Sequence, residues 1–254
     1  PDPGALPLWS QVRLTALFGD DPDAWALVHD LAARLGSQGV DPPVIERLED
    51  RLWERVWLDD FKPTRFGRRL WVCPKGQPAA DPSGMVVELD PGLAFGTGRH
   101  PTTALCLEWL DGADLAGKIL LDYGCGSGIL AIAALKLGAA RAIAVDHDPQ
   151  ALEATRVNAE DNGVADRLSI LRPPGLDRPD RPTPAHLLVA NILAGPLVAL
   201  APTLLGHLSP GGALALSGVL ADQVPAVSSA YRSGLELGPV RTRDGWALIT
   251  GRRH

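Results

Sequence analysis

The sequence predicts an α/β protein whose doubly wound, mostly parallel seven-stranded sheet follows a small, partial α+β N-terminal domain. From Met85 onward, short apolar runs alternate with segments of helical periodicity, which is typical of a parallel sheet covered by helices on both faces. Hydrophobic residues make up 46% of the 254 residues and charged residues 21%. This composition supplies a sizeable core and excludes a disordered chain.

The N-terminal segment predicts a strand at 11–18 and a helix that ends at Gly36. Apolar residues alternate along the strand, and Asp21 followed by Pro22 supplies an N-cap and a first helical residue. Residues 44–58 fit either one helix or a short strand followed by a helix, and we favour the second interpretation. The result is a small β-α-β piece.

The elements predicted after Met85 alternate along the chain. They are strands at 118–123, 142–146, 168–171, 186–190, 213–217, 235–240 and 246–250, with helices at 130–137, 149–162, 196–207 and 221–231. The last two strands lack room between them for a crossover helix. We therefore expect an antiparallel hairpin at the edge of the sheet.

Charge and composition exclude several classes of partner. The 24 Lys and Arg residues against 30 Asp and Glu give a net charge of −6, so no direct binding of nucleic acid is expected. The longest apolar runs, such as 129–135, fall far short of the ~20 residues that span a membrane. Three scattered cysteines predict neither a disulfide framework nor a metal site, and they fit a reducing cytoplasm.

A glycine-rich loop follows the strand at 118–123. Glycines at 124, 126 and 128 permit a tight turn and let a ligand approach the N–H groups that begin the next helix. The dinucleotide fingerprint would need a glycine at 129, where Ile129 stands instead. Close packing of strand and helix is the alternative explanation of the glycines.

Asp146 ends the next strand, 22 residues after Gly124. A carboxylate at this place can accept hydrogen bonds from a ribose diol. A helix N-cap is the alternative role, but Asp148 before Pro149 fills it better. A ribose-binding acid beside a loop without pyrophosphate spacing favours S-adenosylmethionine as the nucleotide.

Four segments together resemble a known family. They read F-G-T-G-R-H-P-T-T at 95–103, D-Y-G-C-G-S-G-I-L at 122–130, D-H-D-P at 146–149 and V-A-N-I-L-A at 189–194. The chain is similar to class I methyltransferases that use S-adenosylmethionine to modify the large-subunit ribosomal protein L11. The first and last segments are the specific ones, and the similarity covers most of the chain.

The resemblance implies a set of site residues. The cofactor-binding positions are Thr97, Thr103, Gly124, Gly126, Asp146 and Asn191. The loop 95–97 corresponds to the segment that closes over the cofactor, and no metal is implied. Thr102 and Thr103 begin a helix after Pro101, where a hydroxyl either caps the helix or binds the cofactor carboxylate.

Asn191 is the candidate catalytic residue. It follows the strand 186–190, at the edge where ligands of parallel sheets bind, and its amide oxygen can orient an amine toward the methyl group. A helix cap is the alternative. The sequence Asn191-Ile192-Leu193-Ala194 lacks the Pro-Pro-Tyr found where planar nitrogens are methylated, which favours an aliphatic amine. His100 is either a proton acceptor or a residue that orders its loop.

We therefore expect a protein N-methyltransferase that acts on lysine side chains or the α-amino group of ribosomal protein L11. Residues 1–50 are predicted to be a partial substrate-recognition domain, 51–84 a linker and the start of the catalytic lobe, and 85–254 the methyltransferase domain. Since the chain opens with Pro1, we expect it to begin inside a longer protein. A cytoplasmic monomer is expected. The alternatives are a methyltransferase for another protein or RNA, a nicotinamide-dependent oxidoreductase, and a silent binding module.

Overall fold

The computed structural model describes residues 22–36, 62–89, 98, 100–176 and 184–254. Contacts divide the chain into two compact units, Pro1–Arg51 and Leu52–His254. In the first unit, α1 spans Pro22–Gly36, as predicted. The predicted strand at 11–18 and the segment 44–58 lie outside the described residues. None of the helices described has the length and apolar character that a membrane span requires.

A small sheet of three strands opens the described part of the second unit. Its strands are β1 (Thr64–Phe66), β2 (Leu70–Pro74) and β3 (Met85–Leu89). The central strand, β2, pairs antiparallel with β1 and parallel with β3. The sequence had assigned 51–84 to a linker and the start of the catalytic lobe, so the strands within it were not predicted.

The large sheet contains eight strands. They are β4 (Ile119–Tyr123), β5 (Arg141–Val145), β6 (Leu168–Leu171), β7 (Ala185–Asn191), β8 (Leu208–Leu220), β9 (Leu235–Leu237), β10 (Arg241–Arg243) and β11 (Trp246–Arg253). Seven follow the order β10-β11-β8-β7-β4-β5-β6, and β9 pairs with the far end of β11. The five strands from β4 to β8 are parallel.

Helices cover both faces of this sheet. They are α2 (Pro101–Gly112), α3 (Ile129–Lys136), α4 (Pro149–Asp161), α5 (Ala194–Gly206) and α6 (Val224–Tyr231). Successive residues of β4 face opposite cores: Leu120 belongs to the core of α2 and α3, and Leu121 to the core of α5 and α6. Burial on both faces explains the continuous apolar runs of the central strands. The predicted doubly wound, mostly parallel sheet is confirmed.

The last third of the chain departs from the prediction in detail. The strand predicted at 235–240 is the shorter β9, and a further strand, β10, follows outside that range, which raises the count from seven to eight. Both pair antiparallel with β11, and β10 forms the edge of the sheet, so the predicted antiparallel hairpin at the edge is confirmed. Strand β8 is also longer than the predicted 213–217, because it continues through the glycines at its start.

Candidate functional site

The glycine-rich loop connects β4 to α3 at the carboxyl edge of the sheet. Gly124, Gly126 and Gly128 all have positive φ angles, of 79°, 54° and 78°, which L-residues with side chains rarely adopt. The Gly124 N–H donates to Val145 O at 2.7 Å, which ties the loop to the end of β5. A Cβ on Gly124 would lie 2.3 Å from Ile192 Cγ2. The predicted tight turn is confirmed, and a side chain on Gly124 would collide with Ile192. We call residues 124–128 the candidate cofactor cradle.

Asp146 follows β5 and is 8% exposed. Its Oδ2 accepts a hydrogen bond from Gly126 N at 3.0 Å, and its Oδ1 accepts one from Asp148 N at 3.1 Å. Asp148 itself caps α4, since its carboxylate accepts from Gln150 N at 2.9 Å. Asp146 is therefore not the helix cap, but it fixes the glycine-rich loop, a task that the sequence did not indicate.

Asp122 is a further carboxyl group beneath this loop, and sequence reasoning missed it. It is fully buried in β4, and its Oδ2 accepts from Ala131 N at 3.0 Å. Its Oδ1 is buried without a hydrogen-bond partner among the described residues. Burial, with a smaller contribution from the charge of Asp146, raises the pKa of Asp122 to about 7. A buried acid just before a glycine loop was the available signal.

Asn191 ends β7, beside the glycine-rich loop. Its Nδ2 donates to Thr103 Oγ1 at 3.2 Å, which joins β7 to α2. The N-cap of α5 is Leu193, so Asn191 is not a helix cap. With its amide nitrogen directed at Thr103, its amide oxygen has no hydrogen-bond partner among the described residues and can accept from another donor.

The first turn of α2 shows which residue caps this helix. His100 is the N-cap, and its Nδ1 accepts from Thr102 N at 3.4 Å and lies 2.7 Å from Thr102 Oγ1. Thr102 and Thr103 are both only 2% exposed. Neither threonine caps the helix, because a histidine does.

Gly218 in β8 lies directly behind the segment that follows Asn191, and sequence reasoning did not single it out. Its φ is +81°, and a Cβ there would lie 2.3 Å from Ile192 O and 2.7 Å from Ile192 C. Only a glycine lets β8 approach the backbone of Ile192, just after β7, so closely. A glycine inside an apolar strand was the signal.

The predicted closing loop 95–97, including Thr97, lies outside the described residues, whereas Gly98 immediately after it is described. Gly98 is buried, and a Cβ there would lie 3.4 Å from both Phe66 Cζ and Ile129 Cδ1. Gly98 thus lies close to both Phe66 of the small sheet and Ile129 at the start of α3. Sequence reasoning did not single out Phe66.

These residues fit a nucleotide that carries an amino acid group. The glycine-rich loop lies at the carboxyl edge of the sheet, Asp146 stands at the end of the adjacent strand β5, and Asn191, bonded to Thr103, stands at the end of β7 on the other side of β4. In the described ranges, no cluster of three or more His, Cys, Asp or Glu side chains could hold a metal ion.

Comparison with known proteins identifies the family. A sequence model described as ribosomal protein L11 methyltransferase matches residues 1–254. The chain is 55% identical over 254 residues to the ribosomal protein L11 methyltransferase of Pseudomonas aeruginosa strain LESB58, covering 100% of this chain and 85% of that protein. It is 50% identical over 254 residues to the protein of that name from Vibrio cholerae, with the same coverage.

Solved structures agree with this result. The ribosomal protein L11 methylase of Lactobacillus delbrueckii subsp. bulgaricus is 31% identical with a TM-score of 0.68, over 76% of this chain and 100% of that one. A methyltransferase from Pyrococcus furiosus, 18% identical with a TM-score of 0.51, covers 65% of this chain and 87% of its own and shows a common fold. With a family model matched along its whole length and relatives more than half identical, the chain belongs to the ribosomal protein L11 methyltransferase family.

Proposed function

We propose that this chain transfers methyl groups from S-adenosylmethionine to aliphatic amino groups of ribosomal protein L11. The observation that carries the proposal is the contact of Asn191 Nδ2 with Thr103 Oγ1 beside the glycine-rich loop. It leaves a side-chain acceptor, Asn191 Oδ1, next to the proposed cofactor cradle. Family membership supports the same chemistry and argues against a nicotinamide-dependent oxidoreductase.

The cofactor is proposed to lie over the glycine-rich loop 124–128, with Asp146 at its ribose. The Asp146 carboxylate has about four lone-pair sites. The N–H groups of Gly126 and Asp148 use two of them, His147 Nδ1 lies 3.4 Å from Oδ1, and capacity for a ribose hydroxyl remains. Thr97 is proposed as part of the loop that closes over the ligand, on the resemblance alone. When bound, S-adenosylmethionine supplies a methyl group on a cationic sulfur, which an amine can attack in line.

Asn191 is proposed to orient the attacking amine. Its amide oxygen accepts an N–H of the neutral amine, which directs the nitrogen lone pair toward the methyl group. The Thr103 hydroxyl holds the amide in the required orientation. Truncating Asn191 removes this orientation and leaves the cradle of Gly124 and Gly126 in place.

The amine must lose a proton before it attacks, because a free lysine has a pKa of about 10.4. Transfer of the ammonium group from water into a site that holds a cationic sulfur lowers that pKa. The close contact of His100 Nδ1 with Thr102 favours the role of His100 in ordering its loop over the role of a proton acceptor.

The remaining parts of the proposal are the acceptor groups of the substrate, the role of the N-terminal segment, the location in the cell and the oligomeric state. Lysine side chains, the N-terminal α-amino group, or both, are the proposed acceptors, since Asn191-Ile192-Leu193 lacks the residues typical of planar-nitrogen sites. The segment 1–50 is proposed to recognise the substrate protein. A cytoplasmic monomer remains our prediction, as does the absence of direct nucleic-acid binding.

The test is methylation of purified L11 by this chain with deuterated S-adenosylmethionine. Peptide mass spectrometry should find deuterated methyl groups on amines, and Asn191→Ala should lower the rate at saturating cofactor by roughly 10- to 100-fold. Calorimetry should find the cofactor affinity of Asn191→Ala within a few-fold of wild type. Unmodified L11, or label on a non-amine group, would contradict the proposal. A normal rate with a large loss of affinity would contradict the orienting role.

A further inference from the structure

The hairpin of β10 and β11 contacts α2 at two places. Arg241 Nη2 lies 2.6 Å from Glu108 Oε2, and Arg243 Nη2 lies 2.8 Å from Glu108 Oε1. Near the start of α2, the ring of Trp246 meets the ring of His100 edge to face, with centroids 4.9 Å apart and planes at 68°. The hairpin therefore contacts α2 at Glu108 within the helix and at its N-cap residue, His100.

The second contact leads to the proposed catalytic side chain in three steps. Trp246 packs on His100, and His100 caps α2 and lies 2.7 Å from Thr102 Oγ1. The next residue, Thr103, accepts the hydrogen bond of Asn191. The position of the first turn of α2 thus determines where the Thr103 hydroxyl meets the Asn191 amide.

Core packing does not account for the Trp246 ring. Trp246 is half-buried and belongs to neither hydrophobic core, whereas Trp109 of α2 packs against one of them. The backbone of Trp246 pairs with Leu220 and Arg243, which secures the strand whatever its side chain. The main described contact of the indole ring is with the histidine at the start of α2.

We propose that Trp246 is a positioning residue for methyl transfer, acting through His100 on the Thr103–Asn191 contact. This inference rests on the proposed function of Asn191 and extends it to a residue outside the cofactor cradle. The proposed role of Trp246 is indirect, and the amine itself is oriented by Asn191. Its indole restricts the His100 ring, and the restricted ring keeps the first turn of α2 in the position that Asn191 requires.

The test compares three variants of the full chain with wild type: Trp246→Ala, Trp246→Phe and Trp109→Ala. Trp109→Ala is the matched control, because it removes another partly buried indole that packs on the core instead of on His100. The measurements are the methylation rate at saturating substrates, the affinity for S-adenosylmethionine, the thermal midpoint and the chemical shift of the His100 ring protons.

We expect Trp246→Ala to lower the saturated rate by about threefold to fivefold, since it acts through the Thr103–Asn191 hydrogen bond, whose complete loss costs about fivefold. Trp246→Phe should recover most of the rate, because a phenyl ring can repeat the edge-to-face contact. Trp109→Ala should lower the thermal midpoint and leave the rate per folded molecule unchanged. The His100 resonances should shift in Trp246→Ala and stay in place in Trp109→Ala.

Equal rates in Trp246→Ala and wild type would overturn the inference, and so would equal losses in Trp246→Ala and Trp109→Ala. Failure of wild type to methylate L11 would instead contradict the proposed function. In that case the His100 resonances decide the inference: an unshifted His100 in Trp246→Ala would overturn it.

Discussion

On the proposed cofactor side of the candidate site, at the ends of β4 and β5, the hydrogen-bond donors are main-chain N–H groups, whereas on the proposed substrate side, at the ends of β7 and β8, the donor is a side chain. On the first side, N–H groups of Gly124 and Gly126 donate to Val145 O and to Asp146. On the second, the Asn191 amide donates to Thr103 of α2.

The two sides also differ in how far apart their residues stand in the sequence. Gly124 and Asp146 belong to a single strand-helix-strand unit, β4-α3-β5. Thr103, Asn191 and Gly218 come from elements that are far apart in the sequence. A change on the cofactor side should therefore disturb a compact local unit, with loss of both stability and cofactor affinity. A change on the substrate side should alter turnover, with the cofactor site left in place.

The largest expected effect is on the cofactor side, where the free energy of unfolding should depend on the charge of Asp122. Burial raises the pKa of Asp122 to about 7, so the native chain binds this proton more tightly than the unfolded chain. The stabilising contribution is therefore complete below about pH 4 and is lost as the pH rises through 7. Asp122→Asn, which stays neutral, should gain about 3 kcal/mol relative to wild type between pH 5 and 8.

Chemical denaturation of both proteins across this pH range measures that gain. Asparagine can still accept the hydrogen bond from Ala131 N, so the variant changes the ionisation and keeps the contact. A difference in stability that stays constant from pH 5 to pH 8 would show that Asp122 is already ionised in the native chain at pH 5.

On the substrate side, Gly218→Ala should lower the rate of methyl transfer by about 100-fold or more. The added Cβ would meet the backbone of Ile192, which cannot move without displacing Asn191. Gly117→Ala is the control, because Gly117 has a similar positive φ of 70° and open space around it. It should lower the stability by about 1–2 kcal/mol from backbone strain and leave turnover unchanged. Similar kinetics for the two variants would remove Gly218 from the site.

The same contrast explains how much of the site the sequence revealed. The glycines of the loop, Asp146 and the Asp148 cap were predicted because turn and cap chemistry is local. Gly218 and Trp246 acquire their roles only through the pairing of β8 with β7 and β11, which one sequence does not display. Long-range register was therefore the missing information.

The fold shows the same limit. Strand β6 was predicted at the observed residues, whereas β1 has only three residues and is too short for any periodicity. The turn between β10 and β11 has a local sequence signal that the prediction did not include. Asp244-Gly245, with φ angles of 49° and 80°, forms the hairpin turn between β10 and β11, and an Asp-Gly dipeptide is typical of such turns.

Asp146→Ala should weaken the binding of S-adenosylmethionine by about 1.5–3 kcal/mol, the range for hydrogen bonds to a charged group. It should also lower the stability, since Gly126 N and Asp148 N lose their acceptor. Asp148→Ala is the control: it removes the cap of α4, at a cost of about 1 kcal/mol, without touching the loop. Calorimetry and denaturation of both variants separate the effects. Unchanged cofactor affinity in Asp146→Ala would remove this residue from the binding site.

The smallest expected effect separates the substrate side from the cofactor side most cleanly. Thr103→Val is nearly isosteric and removes only the acceptor of the Asn191 amide, so the amide loses a hydrogen bond worth about 1 kcal/mol. We expect the saturated rate to fall by about fivefold, the equivalent of that energy, with little change in stability because no cavity is created. Thr203→Val, at an exposed position of α5, makes the same substitution away from the site and should leave the rate unchanged. If Thr103→Val instead weakens cofactor binding and leaves the saturated rate intact, then its hydroxyl serves the ligand directly and the two sides of the site are not separate.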